Sequence, residues 1–186
     1  MIVAQQAHRQ RFRPLLAASV LLVLLAGCAA QPYPPPNAEA FIHAVQAPAF
    51  NSAAGTYPKA LVHITAAEGV NHVLAVRVAT TPQQRRQGLA GTPGLPDDTG
   101  LLIVYPEREH RGGVTIDGVP MVLDIAFIDA GGEIVSIFTG NPCLNRACTN
   151  YDPERPYHAV LQMPANWFFR NYVAKGDTVT WDYVQR

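Results

Sequence analysis

From residue 57 to residue 186 the chain is cut into apolar and β-branched runs too short for helices, each bounded by glycine, proline or another turn residue. Such runs occupy 60–65, 72–80, 101–105, 121–129, 133–139, 157–163 and 178–184. In the second, His72, Leu74, Val76 and Val78 alternate with Val73, Ala75, Arg77 and Ala79, and a Glu68-Gly69 turn joins it to the first as a hairpin. Ala130-Gly131-Gly132 predicts a second hairpin. Val179, Trp181 and Tyr183 share one face of the last run. Helix signals are few. Thr81 is placed to cap, Pro82 to open and Gln84 to close a capping box, so a short helix should reach about Leu89, where Gly88 and Gly91 end it. One or two further turns are expected over 165–172. Many short strands with one or two short helices predict a mostly β chain: a single compact jelly-roll-like β-sandwich or barrel.

Ahead of that domain stands a segment of another kind. Arg9, Arg11 and Arg13 precede an uncharged apolar run over 15–25, which ends in Ala26-Gly27-Cys28. This is the layout of a secretory signal. The run is shorter than the roughly 20 apolar residues a membrane span requires. A cysteine directly after Leu25-Ala26-Gly27 has the form of the bacterial lipoprotein box. Residues 1–27 are therefore read as a lipoprotein signal peptide and Cys28 as the lipidation site. Ala29, in place of an aspartate, favours the outer over the inner membrane. Residues 28–56, rich in Pro, Ala, Gln and Asn with Pro34-Pro35-Pro36, read as an extended tether. Phe41, Ile42, Val45 and Phe50 offer the alternative of partial docking. Residues 57–186 remain for the β domain, a comfortable size for one core.

Charge excludes one class of partner. Lys+Arg and Asp+Glu both number 14, and only 15% of residues are charged. Loss of residues 1–27 removes three arginines, leaving 11 basic and 14 acidic side chains. A net-acidic mature chain is not built to neutralise phosphates, so no nucleic-acid partner is expected.

Within the domain an ordered series of blocks stands out: Arg85 or Arg86, Gly88-Leu89, Leu95-Pro96, Gly100-Leu101-Leu102, the run from Leu123 to Asp129, and Gly176-Asp177. Together these resemble the prokaryotic family DUF192, a domain of unknown function, over nearly the whole domain. The resemblance implies a compact jelly-roll-like domain, often secreted or membrane-anchored, with no established activity. Three departures stand out. Asp117 and Gly118 replace a Lys-Asn pair common in the family, and Val122 replaces a proline. Gln162 and Asn166 occupy the places of a late acid-Gly pair. If those polar residues form a site in relatives, this copy has a reduced one.

Several residues carry potential chemistry. Cys143 and Cys148, five positions apart in one turn-rich stretch, are expected to form a disulfide in an oxidising compartment, the alternatives being metal ligation or redox work. Asp124 lies in an apolar strand, where a carboxylate must be paired or face a cleft. Arg85 or Arg86 of the short helix is the expected cationic partner, and the periodicity does not choose between them. Asp117 and His110, the latter within Glu107-Arg108-Glu109-His110-Arg111, complete the candidate polar centre. His63 and His72 approach diagonally across the first hairpin, a weak basis for a metal site; no metal or cofactor is expected. Trp167, Phe168, Phe169 and Tyr172 read as core, with stacking on a sugar ring as the alternative.

These features describe a lipid-anchored, periplasm-facing envelope protein serving as a non-catalytic ligand-binding or accessory module. A small molecule, a glycan or an envelope protein is the expected partner. The alternatives are a structural envelope protein, and behind it a hydrolase-like enzyme using Asp124; no nucleophile, base and oxyanion donors assemble from the sequence. Cys28→Ser should release the protein from membranes or block its maturation, measured by fractionation and by the mass of the N-terminal peptide. Unchanged attachment and processing would refute the anchor.

Overall fold

The structure is a computed structural model and describes residues 55–144 and 147–184. Cys28, the signal peptide and most of the tether lie outside the described residues. Seven strands form one curled sheet: β1 (Lys59–Thr65), β2 (Asn71–Ala79), β3 (Thr99–Val104), β4 (Leu123–Ile128), β5 (Ile134–Gly140), β6 (Ala159–Pro164) and β7 (Thr178–Tyr183). Their order across the sheet is β5-β4-β6-β3-β2-β1-β7. Two short helices, α1 (Pro82–Gln87) and α2 (Trp167–Arg170), complete the described regular structure with a 3-10 turn over Ala67–Gly69. The mostly β, barrel-like expectation holds, realised as one sheet curling into a half-barrel. No helix among the described residues is long and apolar enough to cross a membrane.

The two predicted hairpins form. β1 pairs antiparallel with β2, Ile64 facing His72 and His63 facing Val73, while β4 pairs with β5. The Gly-rich turn between β4 and β5 is set by Asp129, whose Oδ1 accepts the N–H groups of Gly131 at 2.8 Å and Glu133 at 3.0 Å. β2 and β3 are parallel and therefore need a crossover, which α1 supplies. The capping box of α1 is present. Thr81 Oγ1 accepts the Gln84 N–H at 3.2 Å, and Gln84 Oε1 accepts the Thr81 N–H at 3.1 Å. Gly88, at φ 50°, then stops the helix.

Curling brings the two edge strands together at one end. The Ile134 N–H donates to the Asp177 carbonyl at 2.8 Å, Gly176 donates back to Ile134 at 2.9 Å, and the Val179 N–H donates to Gly132 at 2.7 Å. The Asp177 carboxylate fastens this seam by accepting the N–H groups of Ala67 at 2.9 Å and Ala174 at 2.7 Å. The Gly176-Asp177 block thus has a structural role.

Alternation along each strand now separates two cores. Inside the curl lie Val62, Ile64, Leu74, Val76, Leu102, Ala126, Ile128, Leu161, Met163, Trp167, Phe168 and Val179. On the outer face, Leu101, Ile103, Leu123, Ile125, Phe127 and Val160 are covered by Leu89 after α1 and by Ile116, Val119 and Tyr157 from long loops. β4 is buried along its whole length for this reason, which explains its continuous apolar run.

Gly132 is the tightest point of the seam. Its φ is 91°, and a Cβ there would stand 2.6 Å from the Val179 carbonyl oxygen. Gly132→Ala should cost roughly 2–3 kcal/mol by combining left-handed strain with that collision, read as a lowered urea midpoint. An unchanged midpoint would show that the seam does not hold the fold.

A candidate ligand cleft on the outer face

On the outer face, α1 and the segment 113–119 stand apart over the sheet and enclose a cleft of about 370 Å³. Its lower lining includes Leu89, Ile103, Ile116 and Val119, all in the outer core, together with Gln162 of β6. Gln162 pairs in register with Leu101 on one side and Ile125 on the other, so its side chain shares their face. The residue is 3% exposed, and its Oε1 has no hydrogen-bond partner. An orphaned buried acceptor costs about 1–3 kcal/mol, which makes this a place where the fold gives up stability.

Arg85 and Arg86 divide the work on the α1 wall. Arg85 is half-buried: its Nη1 donates to the Thr80 carbonyl at 2.6 Å and the Val104 carbonyl at 3.2 Å, at the carboxyl ends of the parallel strands β2 and β3. Its guanidinium lies 5.4 Å from the Tyr105 ring centre. Arg86 is exposed at the rim and has no carboxylate partner among the described ion pairs. Arg85 is therefore the inward residue.

The opposite wall is held from behind. Val114 and Tyr151 exchange N–H···O bonds of 2.9 Å each, and the Gly118 carbonyl accepts the Gly91 N–H at 2.9 Å. Cys143 and Cys148 are bonded, with Cα atoms 5.1 Å apart. Cys148 Sγ lies 2.7 Å from Asp117 Oδ1, a close contact, since a disulfide sulfur carries no proton to donate. Asp117 Oδ2 accepts from Thr115 Oγ1 at 2.7 Å. Ligand atoms of Asp117, Cys143 and Cys148 fall within 4.8 Å of one another, but sulfurs bonded to each other are not thiolates and hold no metal in this state.

His110 sits just beyond the cleft. It stacks on Tyr105 with ring centres 3.8 Å apart and meets Tyr157 edge-on at 5.2 Å. Burial pushes its pKa below the ordinary 6.5, against the pull of Glu107 and with help from the Arg85 charge. Burial likewise pushes both phenols, Tyr105 and Tyr157, above their usual range; the Tyr157 hydroxyl donates to the Gly112 carbonyl at 2.8 Å.

Asp124 is not part of this constellation, and its expected pairing with Arg85 or Arg86 is corrected. It is 4% exposed on the inner side of β4, where its Oδ1 accepts from Thr139 Oγ1 at 3.2 Å and its Oδ2 from the Phe168 N–H at 3.4 Å. The arginines border the outer face, so the sheet lies between them. Strand parity decided this: Asp124 alternates with Leu123 and Ile125, whose side chains face outward. His63 and His72 are also separated by parity. His63 approaches Asp182 at 3.7 Å, whereas His72 packs edge-on against Trp167. The aromatic cluster divides as well: Trp167 and Phe168 are core, but Phe169 and Tyr172 are 83% and 84% exposed.

Gln162 emerges as the central polar residue of the cleft, although the sequence marked it only as a departure from a family pattern. The signal was present. One amide within Ala159-Val160-Leu161-Gln162-Met163 raises the same question as one carboxylate within β4.

Residues 63–181 match the DUF192 family, described as an uncharacterized ACR, and the chain belongs to it. A solved protein from Sinorhizobium meliloti 1021, described as a candidate transcription regulator, is 29% identical. The match covers 67% of this chain and 95% of that one, with a TM-score of 0.61. A protein of unknown function from Novosphingobium aromaticivorans DSM 12444 is 24% identical over 74% of this chain and 96% of its own, with a TM-score of 0.62, and shares the fold. No curated protein matches the sequence.

The depressed His110 pKa has a thermodynamic consequence. Below pH 6.5 the unfolded chain protonates this imidazole while the folded one resists, so the stability from the neutral stack is present above 6.5 and lost as pH falls towards the folded pKa. His110→Phe should keep the stack and reduce the loss of melting temperature between pH 7 and pH 5 relative to wild type. An identical pH profile in both proteins would remove His110 as the cause.

Proposed function

We propose that this protein is a lipid-anchored envelope protein whose domain binds a small ligand non-catalytically in the cleft between α1 and the 113–119 segment. The observation that carries the reading is Gln162. Its buried acceptor has no partner, as is also true of His72 Nε2 and Thr92 Oγ1, but of these three residues Gln162 lines the cleft, where a ligand that reaches the amide can supply the missing donor. The guanidinium of Arg86, the carboxylate of Asp117 and the ring of Tyr105 give the cleft a mostly polar accessible surface that can orient a ligand, with the buried side chains of Leu89, Ile103, Ile116 and Val119 beneath it. Among the described lining residues, the hydroxyl beside a carboxylate is Thr115, on Asp117 at 2.7 Å; both are exposed to solvent and no imidazole lines the cleft, so the groups present favour binding over hydrolysis. The lipid anchor rests on the 1–28 sequence pattern, and the disulfide suits an oxidising compartment. The description of the Sinorhizobium relative as a candidate regulator would ask for a cationic DNA-facing surface, which a net-acidic mature chain does not favour.

Gln162→Leu separates a site from a structural amide. It removes the orphaned acceptor at nearly constant volume, so it should raise the melting temperature by a few degrees, about 1 kcal/mol, while abolishing the binding of fragments found in an NMR screen of the wild-type protein. A fall in melting temperature with fragment binding unchanged would make Gln162 structural and remove the site.

A further inference from the structure

We infer that the cleft takes the carboxyl end of an acylated amino acid or short peptide, with a backbone N–H on Gln162 and the terminal carboxylate at Arg86. This rests on the cleft being a ligand site and assigns its chemical class. The floor group is an acceptor without a proton, set among the buried side chains of Leu89, Ile103, Ile116 and Val119, while the carboxylate of the lining, Asp117, is exposed on the wall. A cationic ammonium placed there would lose its hydration with no counter-charge, so the donor that fits is neutral. An amide N–H suits Oε1 better than a hydroxyl, which would bring lone pairs of its own into the same apolar floor.

The rim fixes the other end. Arg85 is committed to the Thr80 and Val104 carbonyls, and its guanidinium is seated by Tyr105. Arg86 is the cation left for a ligand, and a guanidinium matches a carboxylate with two parallel N–H···O bonds. Asp117, exposed on the facing wall, disfavours a second anionic group on that side, so a monoanion fits better than a dianion. A neutral donor deep, one carboxylate at the mouth and a cavity of about 370 Å³ describe an N-acyl amino acid or an N-acyl dipeptide.

The test uses the full mature chain and four probes: N-acetyl-dialanine, its C-terminal carboxamide, its ester analogue lacking the terminal N–H, and unacylated dialanine. Titration by NMR should show N-acetyl-dialanine binding about tenfold more tightly than the carboxamide and the ester, as expected for loss of one charge-assisted or one buried hydrogen bond. Arg86→Ala should erase the preference for carboxylate over carboxamide, and Gln162→Leu should erase binding of both. Equal affinity for carboxylate and carboxamide, or for amide and ester, overturns the assignment, as does tighter binding of the unacylated peptide. If none of the four binds while fragments lost in Gln162→Leu do, the ligand class is wrong and the cleft remains a site. If Gln162→Leu alters neither stability nor any binding, the cleft reading falls as well.

Discussion

The backbone bonds that join the start of β5 to the start of β7 turn a twisted sheet into a half-barrel, and every later property depends on that curvature. Without the exchange between Ile134 and the Gly176-Asp177 turn, two edge strands would be left with unsatisfied backbone groups and no enclosed side. The closure requires a residue with no Cβ at Gly132, where the Val179 carbonyl approaches, and a carboxylate at Asp177 to hold the N–H groups of Ala67 and Ala174. A buried acid and a glycine of the sequence pattern are thereby explained by the seam and are not available as evidence for a binding site.

Closure also defines an inside and an outside, and the two sides are used differently. The inside is filled by side chains from all seven strands, with Trp167 and Phe168 closing it, and the Asp124 carboxylate is satisfied there by Thr139 and Phe168. The outside is covered by a short helix and loops, which do not pack as continuously as a second sheet would. That difference leaves a crevice with one polar acceptor at its base. Two buried polar groups on neighbouring strands thus have opposite meanings: Asp124 has partners from the chain, and Gln162 Oε1 does not.

The walls of the crevice are fixed by unlike means. Arg85 ties α1 to the carbonyl ends of two parallel strands, using a charged group as a structural clamp and leaving its neighbour Arg86 for the solvent side. The 113–119 segment has no regular structure to lean on and is held by one isolated bridge to Tyr151, a glycine contact and a disulfide behind Asp117. Closing so small a loop contributes on the order of 2 kcal/mol, modest for the domain but concentrated at one wall. The Tyr105, His110 and Tyr157 rings continue that support past the cleft's end.

Local pattern was enough for the strands, the hairpins and the capped helix, because alternation, turn glycines and a Thr-Pro-x-Gln start act over a few residues. It was enough, too, for the Cys143–Cys148 bond, since so short a separation leaves little freedom in where the two sulfurs can go. It did not reach the polar centre. Whether Asp124 meets an arginine depends on which face of β4 it occupies and on which face the β2-α1-β3 crossover lays its helix, and neither is encoded within the strand itself. Only the assembled sheet, with its curl and register, placed Asp124 inside and Arg85 and Arg86 outside, and left Gln162 of the cleft with an unanswered hydrogen bond.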